Sequence, residues 1–460
     1  MSGTTARPGP ATPQGQRTQV PGPRTGTGTP APARGLAARR VRHVVDAARA
    51  SLEGTPGRLR LAGIAGVIAC LAFAGLAGLA LHQRSSALSQ AREHADQLVR
   101  IQQIASDLVE ADSQFTNGYL TFGQDSTAQL EAYDQAVAEA SRLIAVASRA
   151  EPGDAPELAT VNDALSQYTA RVAAARANNK QGYQVGIGYL RQASSLLRSD
   201  ASPINMLPTL DRLVVDNARR VDDAFAASRN ATWLLIAAGV LGLGTLLTVQ
   251  GWVALRSHRV LNAPLVGATA AVLVVLVVGG VAMATAQSKA NQVKDESYAA
   301  TLALANARIS AYVGKSYQSI TLIYIGTGGD YPTSQKAYQD QVKTAKSRLD
   351  AAAATGASAG EAELARWTAA NDALTTAAGS NWISAAAQAS STESGSVNAL
   401  FTAFDDATRP ALDRQAAAVD DGLSGAHTAL VVLAWLALLL GIVAAGAAWL
   451  GISMRLEEYR

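Results

Sequence analysis

The sequence has little of what enzymes and stapled secreted domains are built from. One cysteine, Cys70, occurs in 460 residues. The chain can therefore form no internal disulfide, and it offers no thiolate pair for a metal. The five histidines, His43, His82, His94, His258 and His427, are scattered, and no two share a helix face at metal-ligand spacing. The adjacent acids Asp222-Asp223, Asp405-Asp406 and Asp420-Asp421 point about 100° apart on a helix, which makes each pair a poor chelator. Gly326-Thr327-Gly328-Gly329-Asp330 is glycine-rich, but no Lys-Ser/Thr follows it, so it reads as a turn rather than a phosphate loop. Charged residues are only 16% of the chain and aromatics 5%. No catalytic residue, metal or cofactor is expected from this pattern, and nothing points to nucleic acid.

What the sequence does have is long apolar runs. Four blocks, 59–81, 232–255, 265–286 and 428–451, are nearly free of charge and lift the mean hydropathy to +0.09. At about 1.5 Å of rise per residue each can cross a hydrocarbon layer of about 30 Å, and only helices satisfy their backbone there. Glycines recur in them, Gly63, Gly66, Gly75 and Gly78 in the first and Gly239, Gly242 and Gly244 in the second. These fit either close helix packing or a bias in composition. The spans carry no ionisable residue except at their ends, which disfavours a transport path.

Charge sets the expected orientation. Residues 1–60 hold ten arginines and two acids, and the 256–264 loop holds Arg256 and Arg259 with no acid. Both belong on the cytoplasmic side. The 82–231 and 287–427 regions carry net charges of about −4 and −3 by residue count. These regions are expected outside, with both termini inside and a short cytoplasmic end at 452–460. Residues 1–58 read as a basic cytoplasmic tail. Residues 1–35, rich in Pro, Gly and Thr, cannot bury enough apolar surface to order themselves. Residues 36–52 suit a basic amphipathic helix on an anionic leaflet.

The plan occurs twice. Pro208-Thr209-Leu210-Asp211-Arg212 answers Pro410-Ala411-Leu412-Asp413-Arg414, and Asn162-Asp163-Ala164-Leu165 answers Asn371-Asp372-Ala373-Leu374. Val221-Asp222-Asp223 answers Val419-Asp420-Asp421. Each copy is span, long helical region, span. In the first, Ile101, Ile104, Leu108, Phe115 and Tyr119 form one helical stripe, and Leu130, Tyr133, Val137, Ala140 and Ile144 a second. Breaks fall at 123–126 and 151–156. A third helix runs over 157–177, glycines weaken 182–188, and Pro203 and Pro208 bracket a turn before the last helix. The expected fold is an all-α membrane protein: four transmembrane helices and two duplicated extracytoplasmic four-helix-bundle domains. Tyr168, Tyr183, Tyr189, Trp367 and Trp382 are candidates for bundle core or a binding surface.

Phe115-Thr116-Asn117-Gly118-Tyr119-Leu120-Thr121-Phe122-Gly123-Gln124-Asp125, followed by Leu130 and Tyr133, resembles the first hairpin of four-helix-bundle sensor domains of the chemoreceptor and CHASE3 type. The second copy answers with Ile323-Tyr324-Ile325-Gly326, Asp330 and Tyr338, but its loop is two residues longer and the Gly-Tyr-Leu is lost. The whole layout, with its Arg-rich tail and the terminal Arg455-Leu456-Glu457-Glu458-Tyr459-Arg460, resembles the actinobacterial GlnX-type four-pass membrane proteins. That resemblance implies a non-enzymatic adaptor in the plasma membrane. Its implied partners are a glutamine/glutamate-binding lipoprotein outside and a Ser/Thr protein kinase, kinase G, inside. Only the short end at 452–460 follows the fourth span, so the output is expected to leave through the inner loop, with Arg256, His258 and Arg259 as contacts, or through the tail. A structural scaffold of the cell envelope is the alternative reading of the same architecture.

Overall fold

The computed structural model describes residues 55–121, 127–181, 185–199, 205–257 and 262–457. The expected disordered tail and the 36–52 helix lie outside them. The chain divides into units 1–61 and 62–460. The described part of the first, from Thr55, is the opening of a helix.

Every regular element among the described residues is helical. The first half contains α1 (Thr55–Tyr119), α2 (Thr127–Ala150), a 3-10 turn (Pro152–Asp154), α3 (Ala155–Lys180), α4 (Val185–Arg198) and α5 (Met206–Ser257). The second contains α6 (Ala263–Val293), a π turn (Lys294–Tyr298), α7 (Ala299–Thr327), α8 (Tyr331–Ala354), α9 (Glu361–Ala378), α10 (Trp382–Ser390) and α11 (Val397–Glu457). The protein is an all-α membrane protein, in which α1, α5, α11 and the α6–α7 rod are each long and apolar enough to cross a membrane. All four continue well beyond their apolar blocks, α1, α5 and α11 without a break and the α6–α7 rod through its π turn.

Small residues bring the spans together. A Cβ on Gly441 of α11 would lie 2.2 Å from the Ala74 Cβ of α1. One on Gly239 of α5 would lie 2.4 Å from Leu276 of α6, and one on Gly242 3.2 Å from Phe73. Gly75 and Gly244 have open space, so packing accounts for some span glycines and not others. Leu71, Leu79, Val240, Leu241, Val277, Leu439 and Ile442 face outward, as lipid contact requires. The polar groups within the spans are satisfied locally. Thr245 and Thr248 bond to the carbonyls of Leu241 and Gly244, and Gln250 donates to the Leu265 carbonyl at 2.9 Å.

Beyond the spans, the halves share one hydrophobic core. The first half contributes Ile104, Leu108, Phe115, Leu158, Tyr168 and Leu190. The second is more aromatic: the Phe401 ring lies 4.9 Å from Tyr312 and 5.0 Å from Trp367, both edge-on. The distal stretches of α1 and α7 are buried on nearly every face and form the centre of the assembly.

Among the described residues, each half carries a short helix besides the four expected, α4 in the first and α10 in the second. The glycines at 186 and 188 lie inside α4, which forms because Leu190, Ala193 and Leu197 recur on one face and bury. Gly186 is there for close approach, since a Cβ would meet the Tyr119 Oη at 2.5 Å and the Ala175 carbonyl at 3.1 Å. Pro208 sits in the first turn of α5, where its missing N–H costs no helical bond, and Pro203 lies outside the described residues. Pro410 lies inside α11, which runs on through it. Gly186→Val is expected to destabilise the protein by about 1–3 kcal/mol through overpacking. Gly188→Ala, with nothing within 4 Å, should leave it unchanged or slightly more stable. Thermal unfolding of the two variants in detergent checks the contrast.

Candidate functional site

The centre of the assembly is unusually polar for a core. On α1, Gln102, Asp107, Asp112, Ser113, Thr116 and Asn117 are buried; on α7, Arg308, Lys315, Ser316 and Gln318 are. Buried charge is costly unless paired, so the pairing decides what the region can do.

Three clusters emerge. The first is built on Asp112, whose side chain is fully buried. Its Oδ1 accepts from Ser194 Oγ at 3.1 Å and Tyr168 Oη at 3.4 Å, and its Oδ2 lies 3.4 Å from Arg198 Nη2. The Arg198 guanidinium stacks 4.4 Å from the ring of Tyr317, across the boundary between the halves. The second joins Arg308 of α7 to Asp405 of α11 at 2.7 Å, then Arg409 to Asp405 at 3.0 Å and to Glu110 of α1 at 3.3 Å. Burial pushes the Glu110 carboxyl above its ordinary range despite Arg409. Nearby, burial raises Asp107 to about 7. Gln102 finds no protein partner and borders a cavity of about 30 Å³, shared with Ala305 and Leu412, that can seat a water molecule.

The third cluster stands next to the spans. Arg84, fully buried, donates from Nη1 to the Ser228 carbonyl at 2.7 Å and from Nη2 to Gln287 Oε1 at 2.8 Å, tying α1, α5 and α6 together. His427 Nδ1 lies 3.1 Å from the Ser85 carbonyl and adds α11. The repeated Val-Asp-Asp acids cross between halves: Asp222 of α5 pairs with Lys294 of the π turn at 2.6 Å, and Asp420 of α11 with Arg92 of α1. A π turn at this position is a local irregularity of the kind that marks functional regions in long helices.

Asp154, also buried, is a separate knot. It accepts from Gln97 at 3.1 Å, Asn217 at 2.8 Å and Arg220 at 2.8 Å, fixing the 3-10 turn against α1 and α5. Sequence reading saw only a break here.

Of the aromatic candidates, Tyr168 and Trp367 are fully buried core. Tyr189 packs partly buried against that core. Trp382 lies across Gly326 and donates its indole N–H to the Leu322 carbonyl. Tyr183 is outside the described residues. Arg256 falls in the last turn of α5, while His258 and Arg259 lie outside the described residues. Among the described residues, no group of three His, Cys, Asp or Glu is placed to hold a metal. The charged seam itself was missed, because its partners are far apart in sequence. The one available signal was α7, whose 29 residues carry only Arg308 and Lys315 as charges and read as buried all round.

Residues 87–226 match the family model of the actinobacterial sensor domain. No curated protein and no solved structure is significantly similar to the chain. The match starts just after Arg84 and stops just before Ser228, so it covers the helical region between the first two spans and includes Asp112, Asp154 and Arg198. The match supports a sensory role for that region. Arg308, Lys315 and Asp405 lie outside the matched residues.

Lys315 is fully buried, its Nζ has no hydrogen-bond partner, and the Phe401 ring centre is 4.9 Å away. Burial lowers its pKa to about 7. An unfolded chain keeps this proton up to the ordinary lysine range, so between about 7 and 10.5 the unfolded state binds more protons and stability rises with pH. Lys315→Met is therefore expected to raise the melting temperature at pH 7 and below, with the gain over wild type shrinking between pH 8 and 10. Melting curves of both proteins across that range provide the check; a gain independent of pH contradicts the assignment.

Proposed function

We propose that the protein is a non-enzymatic sensory adaptor of the plasma membrane. Both termini lie in the cytoplasm and the two helical regions outside. An amino-acid-loaded binding lipoprotein is the outside partner, and a cytosolic Ser/Thr kinase pathway receives the output. The observation that carries this reading is mechanical. The region matching a sensor domain is continuous, through α1 and α5, with two candidate spans. A displacement at the distal end has no flexible joint in which to dissipate. Arg84 and the crossed pairs Asp222–Lys294 and Asp420–Arg92 couple all four long helices where they leave the apolar blocks.

The same crossed pairs support an internal duplication. A two-fold interface is self-complementary, with each partner offering the same groups to the other. Here the first aspartate of each Val-Asp-Asp reaches a cation in the opposite half. One chain then supplies what a sensor homodimer supplies as two, and signalling is a small two-state shift of packed helices. The cytoplasmic contacts are Arg256, His258 and Arg259.

Affinity capture from membranes with the full-length protein as bait tests the relay. It is expected to recover a solute-binding lipoprotein and a component of a Ser/Thr kinase pathway, and Arg256→Ala together with Arg259→Ala should release the second but not the first. Recovery of neither, with amino-acid responses intact in a deletion strain, contradicts the proposal. Envelope-shape defects in that strain would favour the scaffold instead.

A further inference from the structure

An open cleft of about 490 Å³ lies between α4 of the first half and α7 with the start of α8 of the second. That volume is within the range of small-molecule sites. Arg191 and Arg198 stand on its first wall, seven residues apart and therefore on one face of α4. Tyr324, Asp330 and Thr333 stand opposite.

Arg198 is the informative group. Its side chain is 8% exposed. Asp112 holds Nη2 from behind, and Tyr317 supports the flat face of the guanidinium. Nη1 is buried and has no hydrogen-bond partner. Arg198 lines the cleft with its guanidinium fixed on an edge and a face, and its buried, unsatisfied Nη1 gains a partner if a small shift of the side chain brings it to an acceptor in the cleft. The planar fork suits a carboxylate, and the exposed Arg191 adds a second positive charge on the same wall. Asp330 accepts from Thr333 at 2.7 Å on the far wall, so the cleft is positive on one side and hydroxyl- and acid-lined on the other.

We propose that this cleft binds a small organic carboxylate directly, with the ligand's carboxylate on Arg198 and Arg191 and its remaining polar groups on the Tyr324–Thr333 wall. The site takes one wall from each half, so the ligand favours the closed arrangement of the halves over any in which they separate. This goes beyond the relay through a binding protein and does not depend on it. Ligand binding to the purified chain is measured without any partner, so failure of one reading leaves the other standing.

Isothermal titration and thermal-shift measurements on the full-length protein in nanodiscs form the test. The probes are acetate, succinate, glutamate and citrate, with phosphate and sulfate at matched ionic strength. At least one carboxylate is expected to bind one per chain and to raise the melting temperature. Arg191→Gln, at an exposed position, should weaken that binding by about tenfold or more. Arg198→Lys keeps a charge beside Asp112 but loses the fork, and should abolish it; if that variant does not fold, Arg191→Gln carries the test. The proposal is overturned if no carboxylate saturates below about 10 mM. It is equally overturned if only phosphate or sulfate binds, or if Arg191→Gln binds as wild type does.

Discussion

Charges buried where the two halves meet either find partners in the protein, as Asp112, Arg308 and Asp405 do, or shift toward the neutral form, as Lys315 does, and that constraint organises the contact between the halves. Asp112 and Arg308 are almost fully shielded from water and Asp405 largely so, and Lys315 and Glu110 are removed far enough from it for burial to shift their protonation. Removing one member of such a pair strands the other, typically at a cost of about 3–5 kcal/mol, whereas an apolar replacement of the whole set is often neutral. The seam thus adds less to stability than to uniqueness: one arrangement of α1, α7 and α11 satisfies it and slid registers do not. Arg308–Asp405–Arg409–Glu110 crosses from the second half into the first, and Arg198 on Tyr317 crosses back.

This requirement connects the distal bundles to the spans. Of the long helices that carry the seam, α1 and α11 also carry Arg84 and Asp420 close to the apolar blocks, and the α6–α7 rod carries Lys294, which pairs with Asp222 of α5. Gly239, Gly242 and Gly441 let the spans pack closely, which the proposed relay of a small displacement requires. The halves are not equivalent in chemistry. One centres on a buried acid held by tyrosine, serine and arginine, the other on a buried lysine beside phenylalanine.

Much of the fold was legible in the sequence because it is written in contiguous signals. Runs of about twenty apolar residues specify span helices on their own, and the stripe from Ile101 to Tyr119 specifies α1. The α4 helix was obscured because Gly186 weakens local helix propensity for a tertiary reason, the approach of Tyr119. The seam was illegible for a different reason. Glu110 and Asp112 look like solvent-facing residues until their partners are known, and those partners lie 299 residues away for Arg409 and 82 for Ser194. Hydrophobic periodicity reports which face is buried. It cannot report that a polar face is buried too.

The central claim is that both halves form one cooperative body through the buried seam. Native-state hydrogen exchange on the full-length protein in nanodiscs, comparing wild type with Arg308→Met, tests it most directly. The variant leaves Asp405 without its closest cation, at 2.7 Å. The account predicts that amide protection falls by the same factor in residues 300–323 and 101–120, because both segments open together. Loss confined to 300–323, with 101–120 protected as in wild type, would contradict it.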